Sequence, residues 1–222
     1  MSLSRTDVRL RIEEFGIVPS IHPRATELAA DEACFAAEAL HNGGIPIAEV
    51  SMSVPGAIDV ISHVAKHLPK MIIGADLQYL ETARRCFDAG AKFFTSPGLV
   101  MDVVEFAVEK DVVVFPGALT PTEVIAASKA GADFVKIFPC SQVGGATYIK
   151  ALHAPLPHVA LIASGGVNDQ TVASFIHAGA AALGIGTELV PQEAMRLRRE
   201  AQIRELARRF LKQVQEARSE RP

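Results

Sequence analysis

A lysine set among apolar residues is the first position in this 222-residue chain whose surroundings suggest chemistry: Phe134-Val135-Lys136-Ile137-Phe138-Pro139. The preceding Gly131-Ala132-Asp133 reads as a helix end and a tight turn, which places Lys136 at the centre of a short strand buried on both faces. Burial disfavours an ammonium group, and an uncharged amine can attack a carbonyl and form a Schiff base. The same stretch also accommodates a lysine whose stem is buried and whose tip reaches solvent at the strand end. A carboxylate in a comparable setting is Glu49, in Ile47-Ala48-Glu49-Val50-Ser51-Met52-Ser53. Strand alternation puts it on the face of Ile47 and Ser51. Turned toward an enclosed interior it would be partly desolvated and suited to carrying protons. A structural pairing with Lys136 or an arginine is the other use for it. A nucleophile and a proton carrier together are what imine chemistry needs.

Two small-residue turns suggest an anion. Ser164-Gly165-Gly166 and Gly184-Ile185-Gly186-Thr187 let backbone N–H groups approach a phosphate closely, and a following helix N-terminus would add partial positive charge. Glycines also form ordinary loops, so it is the pair of turns that argues for an anion. His63 and His67 stand four apart on a helical stretch with no glutamate of zincin type between them, and no metal site is expected.

The elements that must position these residues alternate regularly. Apolar strand candidates fall at about 17–21, 46–52, 71–76, 91–97, 112–119, 134–140, 158–165 and 181–187. Helical stretches follow at about 24–42, 55–68, 79–89, 100–110, 121–130, 145–154, 169–178 and 192–216. Gly44, Gly90, Gly131 and Gly179 each lie between a helix and the next strand, where a left-handed residue ends the helix. A short helix over Ser4–Phe15 precedes the pattern, capped by Ser4 with Asp7 and ended by Gly16. Eight strand–helix units predict an α/β fold closed into a (β/α)8 TIM barrel, as one domain over residues 1–222 with a long C-terminal helix. An open doubly wound sheet is disfavoured because no Gly-x-Gly-x-x-Gly turn follows the first strand. In such barrels chemistry sits at the C-terminal ends of the strands, and a phosphate site commonly follows strands seven and eight.

Composition narrows the function classes. A net charge of −3 argues against nucleic acid, and the basic residues of the last helix are interleaved with Glu200, Glu205 and Glu216. Cys34, Cys86 and Cys140 form no Cys-x-x-Cys pair, which fits a reducing, cytoplasmic setting. The N-terminus lacks an apolar signal core and no apolar run reaches the ~20 residues of a membrane span. The expectation is a soluble cytoplasmic protein without membrane partners.

Glu49-Val50, Ser96-Pro97-Gly98, Pro116-Gly117, Phe134-Val135-Lys136-Ile137-Phe138-Pro139 and Ser164-Gly165-Gly166-Val167, in this order along nearly the whole chain, resemble the 2-keto-3-deoxy-6-phosphogluconate (KDPG) / 4-hydroxy-2-oxoglutarate (KHG) aldolase family. Lys136-Ile137-Phe138-Pro139 with Tyr148-Ile149-Lys150-Ala151-Leu152 is most similar to its 6-phosphogalactonate branch. The resemblance implies a cofactor-free, metal-independent class I aldolase, usually trimeric. Such an enzyme cleaves a 2-keto-3-deoxy sugar acid, commonly 6-phosphorylated, or 4-hydroxy-2-oxoglutarate to pyruvate and an aldehyde. It implies Lys136 as the Schiff-base lysine and Glu49 as the proton carrier. Pro97 would lie against the substrate, and Ser164, Gly165, Gly166, Gly186 and Thr187 would hold the distal phosphate. Two positions depart from the family pattern. Ser53 stands where an arginine is common, and Gly74-Ala75-Asp76-Leu77 replaces Gly-Ala-Gly-Thr, so a carboxylate-binding hydroxyl becomes Leu77 beside the new carboxylate Asp76. A rebuilt head-group pocket follows, with His22 or Arg24 as replacement cation or with a less anionic substrate. Two other readings stay open: a phosphate-binding isomerase or synthase that uses Glu49 without an imine, and a barrel that binds a sugar phosphate without turnover.

Overall fold

In the computed structural model, residues 3–23 and 28–220 are described. They form nine strands: β1 (Ile17–Ile21), β2 (Ile47–Ser51), β3 (Ile72–Asp76), β4 (Phe93–Thr95), β5 (Val113–Phe115), β6 (Gly117–Ala118), β7 (Val135–Ile137), β8 (Leu161–Ser164) and β9 (Ala182–Ile185). Ten α-helices accompany them: α1 (Arg5–Phe15), α2 (Ala30–Asn42), α3 (Ala57–His67), α4 (Leu80–Asp88), α5 (Met101–Glu109), α6 (Pro121–Lys129), α7 (Ala146–His153), α8 (Val172–His177), α9 (Gln192–Arg196) and α10 (Glu200–Ser219).

All strand pairs are parallel, in the order β5-β4-β3-β2-β1-β9-β8-β7-β6. The two ends of this order, β5 and β6, are consecutive in the chain and separated by Pro116 alone. The expected fifth strand at 112–119 is therefore one strand broken in two. Proline has no N–H to give to a ladder, so pairing lapses there. Val113–Phe115 pairs with β4, and Gly117–Ala118 pairs with β7, where the Lys136 N–H donates to the Pro116 carbonyl at 2.9 Å. The broken strand closes the sheet into the expected barrel.

The last expected helix, 192–216, is also two helices. Arg198 between them takes φ +51°, held by donation to the Asp31 carbonyl at 3.1 Å, an ion pair with the Asp31 carboxylate, and stacking 5.0 Å over the Phe35 ring. The first helical stretch, expected over 24–42, is seen as α2; its residues 24–27 lie outside the described ones. Gly44, Gly90, Gly131 and Gly179 have φ of 97°, 101°, 93° and 108°, the left-handed turns that return each helix to the sheet.

The floor of the barrel is aromatic. Phe93 stacks on Phe115 at 5.2 Å between centroids, and Phe115 meets Phe134 edge-on at 5.9 Å. Below it, α1 spans the N-terminal ends of the strands with Val8 and Ile12 buried. The Arg9 guanidinium lies 5.9 Å from the Phe134 ring, and Arg5 grips the Asp133 carboxylate at 2.9 Å. Alternation then lifts the residues two positions further along β4 and β7, Thr95 and Lys136, into the next layer toward the C-terminal ends.

Candidate active site

A cavity of about 460 Å³ opens at the C-terminal ends of the strands, and Lys136 and Glu49 line its base. Each is only 5% exposed, the two being among the few buried charged residues of the described chain. Lys136 Nζ stands 3.6 Å from Glu49 Oε1. Val135 and Ile137 beside the lysine are fully buried on the opposite face, as are Ala48 and Val50 beside the glutamate, so alternation leaves each polar side chain a single direction, inward.

Asp76, at the end of β3, also faces the cavity, with Oδ1 4.0 Å from Lys136 Nζ. Burial pushes its carboxyl above the ordinary carboxylate range; Lys136 opposes that shift, and the nearby Glu49 adds to it. Thr95 ties the two acids together. Its buried hydroxyl donates to Glu49 Oε2 at 2.8 Å and lies 3.3 Å from Asp76 Oδ1. Thr95 carries no motif of its own in the sequence. Its one local signal is a polar Thr95-Ser96 pair at the end of an apolar strand, next to the Ser96-Pro97-Gly98 turn.

The remaining expected residues are distributed around this centre. Ser53 lines the rim after β2, its hydroxyl 2.6 Å from that of Ser51. Pro97 lines the opposite rim and crowds Gly117, where a Cβ would strike the Pro97 backbone. His22 faces in beside Gly186, its Nδ1 3.3 Å from the Ser20 carbonyl. Ser164, Gly165, Gly166, Gly186 and Thr187 share one wall, with Gly165 and Gly166 at φ 86° and 84°. The helices after these loops begin only at Val172 and Gln192, so neither loop is itself the first turn of a helix, contrary to the expected helix-terminus cradle. Any anion there is met by loop N–H groups and side chains, and Glu188 adds a carboxylate to the same wall.

Leu77 is not in the cavity. It is fully buried in the core, its N–H donating to the Thr95 carbonyl at 2.7 Å, because the step past Asp76 reverses the side-chain direction. The position expected to have lost a hydroxyl is thus withdrawn from the cavity lining, while the Thr95 hydroxyl of the neighbouring strand is buried behind that lining, against Glu49 and Asp76. Arg24 lies outside the described residues. His63 and His67 stack on each other at 4.3 Å on α3, away from the cavity lining.

The arrangement of a buried amine with a carboxylate 3.6 Å away, at the base of an open cavity, suits addition of Nζ to a carbonyl with a proton carrier at hand. Known proteins agree with that chemistry. A probable 2-dehydro-3-deoxy-6-phosphogalactonate aldolase of Rhizobium meliloti is 34% identical over 166 residues, covering 73% of this chain and 77% of its own. The crystal structure of KDPG aldolase from Legionella pneumophila, with pyruvate captured at low pH as a covalent carbinolamine intermediate, superposes with a TM-score of 0.81. It is 25% identical and covers 90% of this chain and 96% of its own. A cube-shaped protein cage designed by fusing symmetric oligomeric domains matches at a TM-score of 0.79 and 30% identity, over 91% of this chain and 73% of its own. The family model for KDPG and KHG aldolase matches residues 9–206, which take in the whole barrel and every residue of the cavity. With its lysine and glutamate at the base of that cavity, the chain belongs to the KDPG and KHG aldolase family of carbon–carbon lyases.

Proposed function

We propose that this protein is a cofactor-free class I aldolase in which Lys136 forms the Schiff base and Glu49 carries the protons. The observation that carries this reading is the 3.6 Å approach of Lys136 Nζ to Glu49 Oε1 in a cavity open to substrate. The amine adds to the C2 carbonyl of a 2-keto acid, forming a C–N bond while Glu49 gives the carbonyl oxygen a proton. Loss of water leaves a protonated imine. Glu49, now a base, takes the C4 hydroxyl proton; the C3–C4 bond breaks and its electron pair moves into the enamine. Protonation at C3 and hydrolysis release pyruvate and return the lysine.

The substrate is a 2-keto-3-deoxy sugar acid, 6-phosphorylated, or 4-hydroxy-2-oxoglutarate. Ser164, Gly165, Gly166, Gly186 and Thr187 receive the distal phosphate, and Pro97, Ser53, Asp76 and His22 surround the head group. Among the described residues that line the cavity Lys136, at its base, is the only lysine or arginine, so loop N–H groups and hydroxyls are the anion's partners, and Glu188 opposes it. The chain acts as one catalytic domain, in the cytoplasm, as a homotrimer. Similarity to a cage built from symmetric oligomeric domains supports an oligomer, and sedimentation equilibrium measures its order.

Borohydride reduction in the presence of pyruvate, followed by intact mass, tests the reading. The expected product is the protein plus one reduced pyruvate, mapped to Lys136 and missing from Lys136→Arg. That variant should lose at least about 10³-fold in kcat/KM, since a guanidinium cannot form the imine. Retention of appreciable turnover by Lys136→Arg would sink it.

A further inference from the structure

Two carboxyl groups beside one lysine are more than an imine cycle with a single proton carrier requires. Glu49 and Asp76 both approach Lys136 Nζ, at 3.6 and 4.0 Å, and both lie within hydrogen-bonding distance of the same hydroxyl, Thr95 Oγ1. A hydroxyl has one hydrogen to donate. With both acids ionised, one of them would face the hydroxyl oxygen unpaired and repel its neighbour, so a single proton held between them relieves the site. The placement is built into the sheet. Glu49, Asp76 and Thr95 come from the adjacent strands β2, β3 and β4, and register pairs Ser51 with Asp76 and Asp76 with Thr95. Glu49 lies two residues below Ser51 on the same inward face.

We propose that Glu49, Thr95 and Asp76 form one proton-sharing unit, in which Asp76 is a proton store that switches Glu49 between base and acid through the Thr95 hydroxyl. This inference rests on the aldolase reading above. In the first state Asp76 is protonated and donates to Thr95 Oγ1, while Thr95 donates to the ionised Glu49; here Glu49 is a base. The 2.8 Å bond to Glu49 fits donation by Thr95 to a carboxylate, and the 3.3 Å separation from Asp76 is the one that shortens when the Asp76 proton passes to the hydroxyl. In the second state the Asp76 proton has passed to Thr95 Oγ1 as the Thr95 hydrogen passed to Glu49 Oε2, and Glu49 is an acid. One O–H bond breaks and one forms at the hydroxyl, the unit's proton count is unchanged, and no bond to carbon is touched. The cycle needs both states, a base to take the substrate hydroxyl proton and an acid to protonate the carbinolamine oxygen and the enamine carbon. Burial raises the Asp76 carboxyl above its ordinary range, in keeping with a carboxyl that holds a proton beside the hydroxyl it shares with Glu49. The titratable groups facing Asp76 are Glu49 on β2, Lys136 on β7 and His22 just past β1. The lysine and the histidine oppose that shift, and Glu49 reinforces it.

Pyruvate alone reads the unit, because the enzyme's enamine exchanges the pyruvate methyl hydrogens with deuterium oxide at a rate set by proton transfer at C3. Exchange is followed by proton NMR across pD for the full chain and for Asp76→Asn, Thr95→Val, Thr95→Ser and the Asp76→Asn/Thr95→Val double variant, with borohydride-trapped adduct measured in each. The expected result is adduct in all, exchange at least about tenfold slower with an altered pD profile in Asp76→Asn and in Thr95→Val, and recovery in Thr95→Ser. The double variant should be no slower than the slower single one, because both changes cut the same path. Adduct in every variant with exchange within twofold of the parent and superimposable profiles overturns the relay alone. So does a Thr95→Ser variant as slow as Thr95→Val, which would mark the threonine as packing. No adduct in the unsubstituted protein overturns the aldolase reading, and the relay with it.

Discussion

Glu49 Oε1 approaches Lys136 Nζ to 3.6 Å although their strands, β2 and β7, are separated in the sheet by β1, β9 and β8. The contact spans the barrel interior and does not run between neighbouring strands. It exists because closure brings inward-facing residues of distant strands into one layer, above the Phe93, Phe115 and Phe134 floor.

Replacing Glu49 by Gln keeps the size and the acceptor for Thr95 but removes the transferable proton. Turnover should fall by about 10²–10⁴-fold, while borohydride still traps an adduct on Lys136 at a reduced rate. Steady-state kinetics and intact mass on the same sample check this. A fall below tenfold would assign the proton work to another group.

Asp76→Asn should change stability in a pH-dependent direction. Folding raises the Asp76 carboxyl, chiefly through burial, so its contribution favours the folded state while it is protonated and is lost as pH rises through the raised value. On the alkaline side the ionised side chain is a cost that asparagine does not carry. The variant should therefore melt above the parent at pH 8, with the gain fading toward pH 4. Thermal melts at both pH values measure it; a lower melting point at pH 8 contradicts the burial argument.

At the other end of the barrel, Arg5 of α1 donates from Nε to both Asp133 oxygens at 3.0 and 3.1 Å and from Nη2 to the Gly131 carbonyl at 2.8 Å. The same carboxylate accepts from the Val114 N–H at 2.9 Å, which ties α1 to the sheet. Arg5→Met leaves Asp133, with its side chain only 9% exposed, without its cation. A loss of about 2–3 kcal/mol in urea unfolding is expected, with kcat unchanged because the substrate cavity opens at the opposite end. An unchanged unfolding midpoint would show α1 to be held by its other contacts: Val8 and Ile12 packing, Arg9 over Phe134, and Arg218 donating to the Glu13 and Glu14 carbonyls.

Burial pushes the Cys86 and Cys140 thiols up to about 11, so at pH 8 about one molecule in a thousand carries either thiolate. Iodoacetamide on the folded protein should spare both and react, if anywhere, at the half-buried Cys34. Peptide mapping before and after denaturation tells the three apart; early labelling of Cys140 would show that the segment after β7 opens.

Much of this protein was settled by local sequence. The strand–helix alternation, the four left-handed glycines and the inward direction of Lys136 and Glu49 depend on dihedral preferences and two-residue alternation, which act within one element. Other features needed the closed barrel. Pro116 divides the fifth strand because its two halves serve different neighbours, and Arg198 breaks the last helix because Asp31 and Phe35 of α2 hold its guanidinium. Leu77 looked like a cavity residue until the turn of the chain past Asp76 sent it into the core. Thr95 was an unremarked hydroxyl until stagger between strands set it between two carboxyls. The sequence by itself determined which elements form and which residues are able to react. Only the tertiary structure decided which of them meet, because separations across a barrel depend on strand stagger and closure, to which no single segment holds the key.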